Sequence, residues 1–138
     1  MTQDAFGAVV NALARRDLTV AELEARLERA GFDADARTDA MARAAESGYL
    51  DDGRVARERA RVLVERDSSD AAIRAELERR GVQEAVVGAV LAALVPEEER
   101  ATRLARRLGG SPRAARALVR KGFPEDVVER VVGLHIAE

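Results

Sequence analysis

The chain has 138 residues, no cysteine and a formal net charge of −2, which excludes a large multidomain enzyme, a disulfide scaffold and a thiolate metal site. Its 47% hydrophobic content rests largely on alanine and valine, with three phenylalanines, one tyrosine and no tryptophan. Such small side chains bury little area each, so several thin helix–helix cores are expected in place of one thick core.

The opening "MTQDAFGAVV" lacks the charged and apolar regions of a signal peptide, and the longest apolar runs, such as "VLAALV" at 90–95, are too short to span a membrane. The expectation is a cytoplasmic monomer without membrane contact. Alanine, leucine, glutamate and arginine dominate, and apolar residues recur at helical spacing, so the chain reads as all-α. A first helix is expected over residues 5–16. "TVAE" at 19–22 is a Thr-x-x-Glu capping box that opens a second helix. That helix stops in "ERAGFDADAR" (28–37), where Gly31 supplies a left-handed residue, Phe32 folds back on the last turn and Asp33 starts a third helix.

The same skeleton recurs twice. A helix over 52–66 is followed by N-cap candidates in "SSD" (68–70) and a stop in "ERRGVQEAVV" (78–87). A helix over 97–108 is followed by Ser111, with Pro112 at the first helical position, and a stop in "VRKGFPEDVV" (119–128). Around Gly31, Gly81 and Gly122 the equivalent positions are Leu27, Leu77 and Leu118; Arg29, Arg79 and Arg120; Phe32, Val82 and Phe123; and Ala40, Val90 and Val131. An internal repeat at spacings of 50 and 41 residues explains the alignment. Helices of roughly 12–15 residues would be about 18–22 Å long. The fold expected is three tandem three-helix repeats, 1–50, 51–95 and 96–138, forming an elongated, curved array on the order of 60–70 Å long.

Enzyme equipment is missing. "GG" at 109–110 lacks the lysine of a phosphate loop, and no nucleophile–base pair can be assembled. The single histidine, His135, falls at the repeat position of Ala44 and Leu94, which favours a structural or terminal role. Asp51 and Asp52 precede a helix, where acids complement the N-terminal dipole more often than they bind metal. No catalytic residue, metal site or cofactor is expected.

Charge carries more information. Residues 1–50 hold six arginines against nine acids, whereas residues 100–123 hold eight basic side chains and no acid. Arg113, Arg116 and Arg120 fall at i, i+3 and i+7 on one helix face, with Lys121 beside them; Arg103, Arg106 and Arg107 cluster on the preceding helix. Arg54, Arg57 and Arg61 repeat the spacing in the second unit, with Glu58 and Glu65 alongside. Guanidinium forks suit phosphates and carboxylates equally, so these ten residues are the candidate contacts for an anionic partner. The competing reading is a solvated face with intrahelical ion pairs, and for the second-unit stripe, with Glu58 and Glu65 alongside, both readings stand. Arg59 lies among Val55, Val62 and Leu63 on an apolar face, either snorkelling or projecting towards a partner.

The segment "ESGYLDDGRVARERARVLVERDSSDAAIRAELERRGV" resembles the RecX family, regulators of the bacterial recombinase RecA. The resemblance rests on Gly48, Tyr49, Leu50, Asp51 and Asp52, and on Leu77, Gly81 and Val82; "LVRKGFPEDVVERVV" is similar to the family's last module. Val55 stands where the family has an aromatic residue. The resemblance implies an elongated, non-enzymatic protein that binds the groove of the RecA nucleoprotein filament and restrains its ATP hydrolysis, strand exchange, co-protease activity and growth. The alternative is a helical nucleic-acid-binding module acting independently of RecA, which predicts tight DNA binding with a steep salt slope. With no aromatic stacking platforms and a net charge of −2, binding to single- or double-stranded DNA is expected to be weak.

Overall fold

The computed structural model describes residues 3–110 and 112–137. It forms α1 (Ala5–Arg15), α2 (Val20–Arg29), α3 (Ala34–Glu46), α4 (Asp52–Glu65), α5 (Asp70–Arg79), α6 (Glu84–Ala92), α7 (Glu97–Arg107), α8 (Pro112–Arg120) and α9 (Glu125–Ala137). Side-chain oxygens of Asp4, Thr19, Asp33, Asp51 and Ser69 each accept a backbone N–H three residues on, opening five of these helices. At α2 the capping box is complete, because Glu22 reaches back to the Thr19 N–H at 2.9 Å. The expected cap Ser111 and the side chain of His135 lie outside the described residues.

The three corners close identically. Phe32, Val82 and Phe123 donate their N–H to the carbonyls of Leu27, Leu77 and Leu118, while Gly31, Gly81 and Gly122 donate to Glu28, Glu78 and Val119. This is the Schellman pattern, with the glycines at φ of 91°, 83° and 92°. The caps lie closer together than the helix lengths read from periodicity. Thr19 to Gly31, like Ser69 to Gly81, leaves a ten-residue helix, and α8 has nine. The second helices are therefore shorter than the 12–15 residues expected, because the cap-to-glycine spacing overrides the apolar pattern.

Burial divides by module. Ala5, Val9, Leu23, Leu27, Ala40 and Ala44 form one core. Ala56, Ala60, Ile73, Leu77, Val87 and Val90 form a second, and Ala101, Leu104, Ala114, Leu118, Val127 and Val131 a third. Within each module the first and third helices pack together and the second packs on both; extensive helix-on-helix contact stays inside the modules. Alanine-rich stripes permit close helix approach but yield thin cores, so the array is extended. Its accessible surface of 8373 Å² exceeds the ~7,000 Å² of a compact monomer of 14.9 kDa. No described helix is long and apolar enough to cross a membrane.

Candidate partner-binding surface

Which arginines remain available to a partner depends on how the modules join. The second helix of one module receives the corner of the next. Thr19 Oγ1 donates to the Arg80 carbonyl at 2.6 Å, and a Cβ on Gly81 would stand 2.3 Å from the Cβ of Ala21. At the next junction a Cβ on Gly122 would stand 2.7 Å from Ser69 Oγ. Gly31 heads the array and has open space around it. The repeated glycine thus serves two purposes: it ends its own helix, and it lets the corner seat on the preceding module.

Charged side chains lock each seat. Arg80 grips Glu22 through two nitrogens, at 3.1 and 2.9 Å, and donates to the Asp17 carbonyl at 3.1 Å. Burial raises the Glu22 pKa, but the Arg80 guanidinium and the Thr19 N–H outweigh it, so the net shift is downward. Lys121, at the equivalent position, donates to the Arg66 carbonyl at 2.7 Å. The acid opening each following module caps the same helix N-terminus: Asp52 accepts from the Val20 N–H at 2.9 Å, and Glu97 from the Asp70 N–H at 2.6 Å. Arg100 is buried at the second junction, pairing with Asp70 at 2.6 Å and donating to the Val95 carbonyl at 2.7 Å.

The ten basic candidates separate accordingly. Arg54 crosses the first junction to Asp17 at 3.0 Å, Arg107 crosses the second to Asp67, and Lys121 is anchored as described. Arg61 lies between Glu58 at 3.3 Å and Glu65 at 3.1 Å on its own helix. Arg57 is exposed with its guanidinium folded over Gly53. Arg103, Arg106, Arg113, Arg116 and Arg120 are exposed and have no carboxylate partner among the described residues. Two stripes with the same spacing therefore differ: acids neutralise much of the stripe on α4, whereas the stripe on α8 keeps its charge.

The run from Gly48 to Asp52 is the connection between modules one and two. Gly48, at φ 75°, ends α3, with the Tyr49 N–H donating to the Ala44 carbonyl at 2.9 Å. Tyr49 is half exposed and stacks on Phe6 at 6.5 Å, and Arg43 lies 4.0 Å from the other aromatic's centroid, that of Phe6. Leu50 packs against the first core, Asp51 caps α4 and Asp52 caps α2 across the junction. Both acids have the helix-terminal role favoured by their position. Arg59, ambiguous on its own helix, forms a two-point ion pair with Glu76 of α5, one leg at 3.0 Å. That guanidinium holds the Glu76 carboxyl below the usual glutamate range.

Sequence reasoning missed the junction set of Thr19, Glu22, Ser69, Asp70, Arg80 and Arg100. One signal was available: a basic residue precedes Gly81 and Gly122, whereas Ala30 precedes Gly31, the corner with nothing to dock on.

No family model matches the chain. The Regulatory protein RecX of Halorhodospira halophila is 36% identical over 131 residues, covering 88% of this chain and 81% of that protein. The Regulatory protein RecX of Syntrophotalea carbinolica is 41% identical over 61 residues, covering 44% of this chain and 40% of its own length. The crystal structure of RecX from Lactobacillus salivarius superposes with a TM-score of 0.82 at 17% identity, covering 97% of this chain and 96% of that one. That likeness concerns the fold, and it matches the repeat of three helices three times over. A homologue aligned across most of both chains, joined to this architecture, places the chain in the RecX family of regulatory proteins, the non-enzymatic modulators of RecA.

Proposed function

We propose that this protein, a cytoplasmic monomer built of units 1–50, 51–95 and 96–138, binds the RecA nucleoprotein filament and restrains its ATP hydrolysis, strand exchange and growth. Arg103, Arg106, Arg113, Arg116 and Arg120 form the principal contact surface. The observation that carries the choice of surface is five exposed, unneutralised guanidinium groups on adjacent helices of an otherwise acidic chain. An extended array can bridge successive filament subunits, and a local positive field steers it onto an acidic partner. Junction-locked arginines such as Arg54 and Arg107 serve shape, and contact with bare DNA is weak.

The test is single-stranded-DNA-dependent ATP hydrolysis by the RecA of the same organism, titrated with this protein, beside a DNA-only binding measurement. Suppression near stoichiometric amounts is expected, and the triple variant Arg113→Glu/Arg116→Glu/Arg120→Glu should suppress at least tenfold less well with an unchanged melting temperature. An absence of suppression together with tight, salt-sensitive DNA binding would replace this reading with that of an independent nucleic-acid-binding module.

A further inference from the structure

The outer surface of α8 carries two different chemistries side by side. Its inward residues Ala114, Ala117 and Leu118 are buried, Ala114 and Leu118 within the third core. Outward, Arg113, Arg116 and Arg120 run along one edge at i, i+3 and i+7; exposed Val119 runs beside them, and Ala115, four positions before it, is half-buried against the third core. Val119 is 63% exposed, more than any other large hydrophobic residue among those described. Ala115, Arg116, Val119 and Arg120 together line a shallow, apolar-floored depression of about 400 Å³.

We propose that this strip docks an acidic amphipathic segment of a partner protein, with an aliphatic side chain seated over Ala115 and Val119 and carboxylates paired with Arg116 and Arg120. The proposal rests on the reading of α8 as a partner-facing helix and names the chemistry of what it faces. Charge complementarity selects the acidic segment, because this is an unneutralised basic helix face on a chain whose first 50 residues carry more acids than arginines. The apolar row selects a protein over a phosphate backbone. Phosphates gain nothing from an exposed valine, and the strip holds no aromatic ring on which a base could stack. A helix lying in a groove with anchors one turn apart meets both rows at once.

The probe is a fluorescein-labelled amphipathic peptide with leucines at i and i+4 flanked by glutamates. Its controls are a glutamate peptide of equal charge without leucine and a single-stranded oligothymidylate. Fluorescence anisotropy with the full chain should show the leucine peptide binding at least tenfold more tightly than the leucine-free peptide. Val119→Ser should weaken the leucine peptide about fivefold, in line with the partial loss of one buried aliphatic group, and Arg116→Glu should abolish binding. Both sites are exposed, so unchanged melting curves separate lost binding from lost fold.

Equal binding of the two peptides would overturn the proposal, as would oligothymidylate binding that is tighter than the leucine peptide's and indifferent to Val119→Ser. Self-association of the chain that Arg116→Glu abolishes would assign the strip to a second copy and also overturn it. RecA ATP hydrolysis measured with the same preparations keeps the two readings apart. Suppression that survives Val119→Ser and Arg116→Glu would overturn the strip and leave the regulator standing, whereas no suppression by the unmodified chain would remove the regulator reading.

Discussion

Replacing Gly81 with alanine would separate two costs that the repeated corner combines. Gly31 and Gly81 share a left-handed backbone, at φ +91° and +83°, so alanine at either carries a conformational penalty of about 1–2 kcal/mol. At Gly31 the added Cβ meets nothing within 4 Å, so its cost ends there. At Gly81 the new Cβ would stand 2.3 Å from that of Ala21, against the ~3.5–4.0 Å of a carbon–carbon contact. Neither Cβ can rotate away, because each is fixed to its backbone. The corner must retreat by more than about 1 Å, which takes the Thr19–Arg80 hydrogen bond from 2.6 Å to beyond its working range. Overpacking of this kind adds about 1–3 kcal/mol. Gly81→Ala is therefore expected to cost about 2–5 kcal/mol where Gly31→Ala costs about 1–2.

The decisive assay is a double-mutant cycle with Ala21→Gly, followed by urea unfolding and far-UV circular dichroism. Ala21→Gly alone should cost about 1 kcal/mol, as glycine does within a helix. In the double variant it should recover the overpacking part of the Gly81→Ala loss, giving a coupling of about 1–3 kcal/mol. Strictly additive losses would mean that the corner does not seat on Ala21, and the account of the junction would fail.

Two further outcomes test the polar side of the junctions. Arg100→Met keeps much of the packing but removes the ion pair to Asp70 and the donation to the Val95 carbonyl; because Asp70 is 41% exposed and can resolvate, a loss of about 2 kcal/mol is expected. Arg61→Met, which breaks exposed intrahelical pairs, should stay within about 0.5 kcal/mol, and reversal of that order in thermal melts would contradict the burial argument. The folded-state pKa values of Glu22 and Glu76 are both lowered, so the stability they contribute is present above the ordinary glutamate value and is lost as pH falls through the lowered ones. Urea midpoints should therefore drop on acidification below about pH 4, and Glu22→Gln/Glu76→Gln should flatten that drop; identical slopes in the two proteins would show that neither ion pair is linked to folding.

Much of the fold was legible because its signals act over a few residues. A capping box closes between Thr19 and Glu22, and a Schellman turn closes between Leu27 and Phe32. The alignment of Leu27, Leu77 and Leu118 located a buried core position in every module. The candidate surface was legible only as a set of cations. Arg113–Arg116–Arg120 and Arg54–Arg57–Arg61 have the same spacing, and what distinguishes them includes Asp17, 37 positions away from Arg54. Arg59 was ambiguous for the same reason, since its partner Glu76 belongs to another helix.

By itself, the sequence determined the helices, most of their ends and the division into three thin cores, because caps, glycine turns and 3.6-residue periodicity are satisfied within one or two helical turns. The tertiary structure alone decided how the modules seat and which charges stay free. Those outcomes depend on contacts such as Thr19 with Arg80, 61 positions apart, and an ion pair forms only where folding brings two surfaces within a few ångströms.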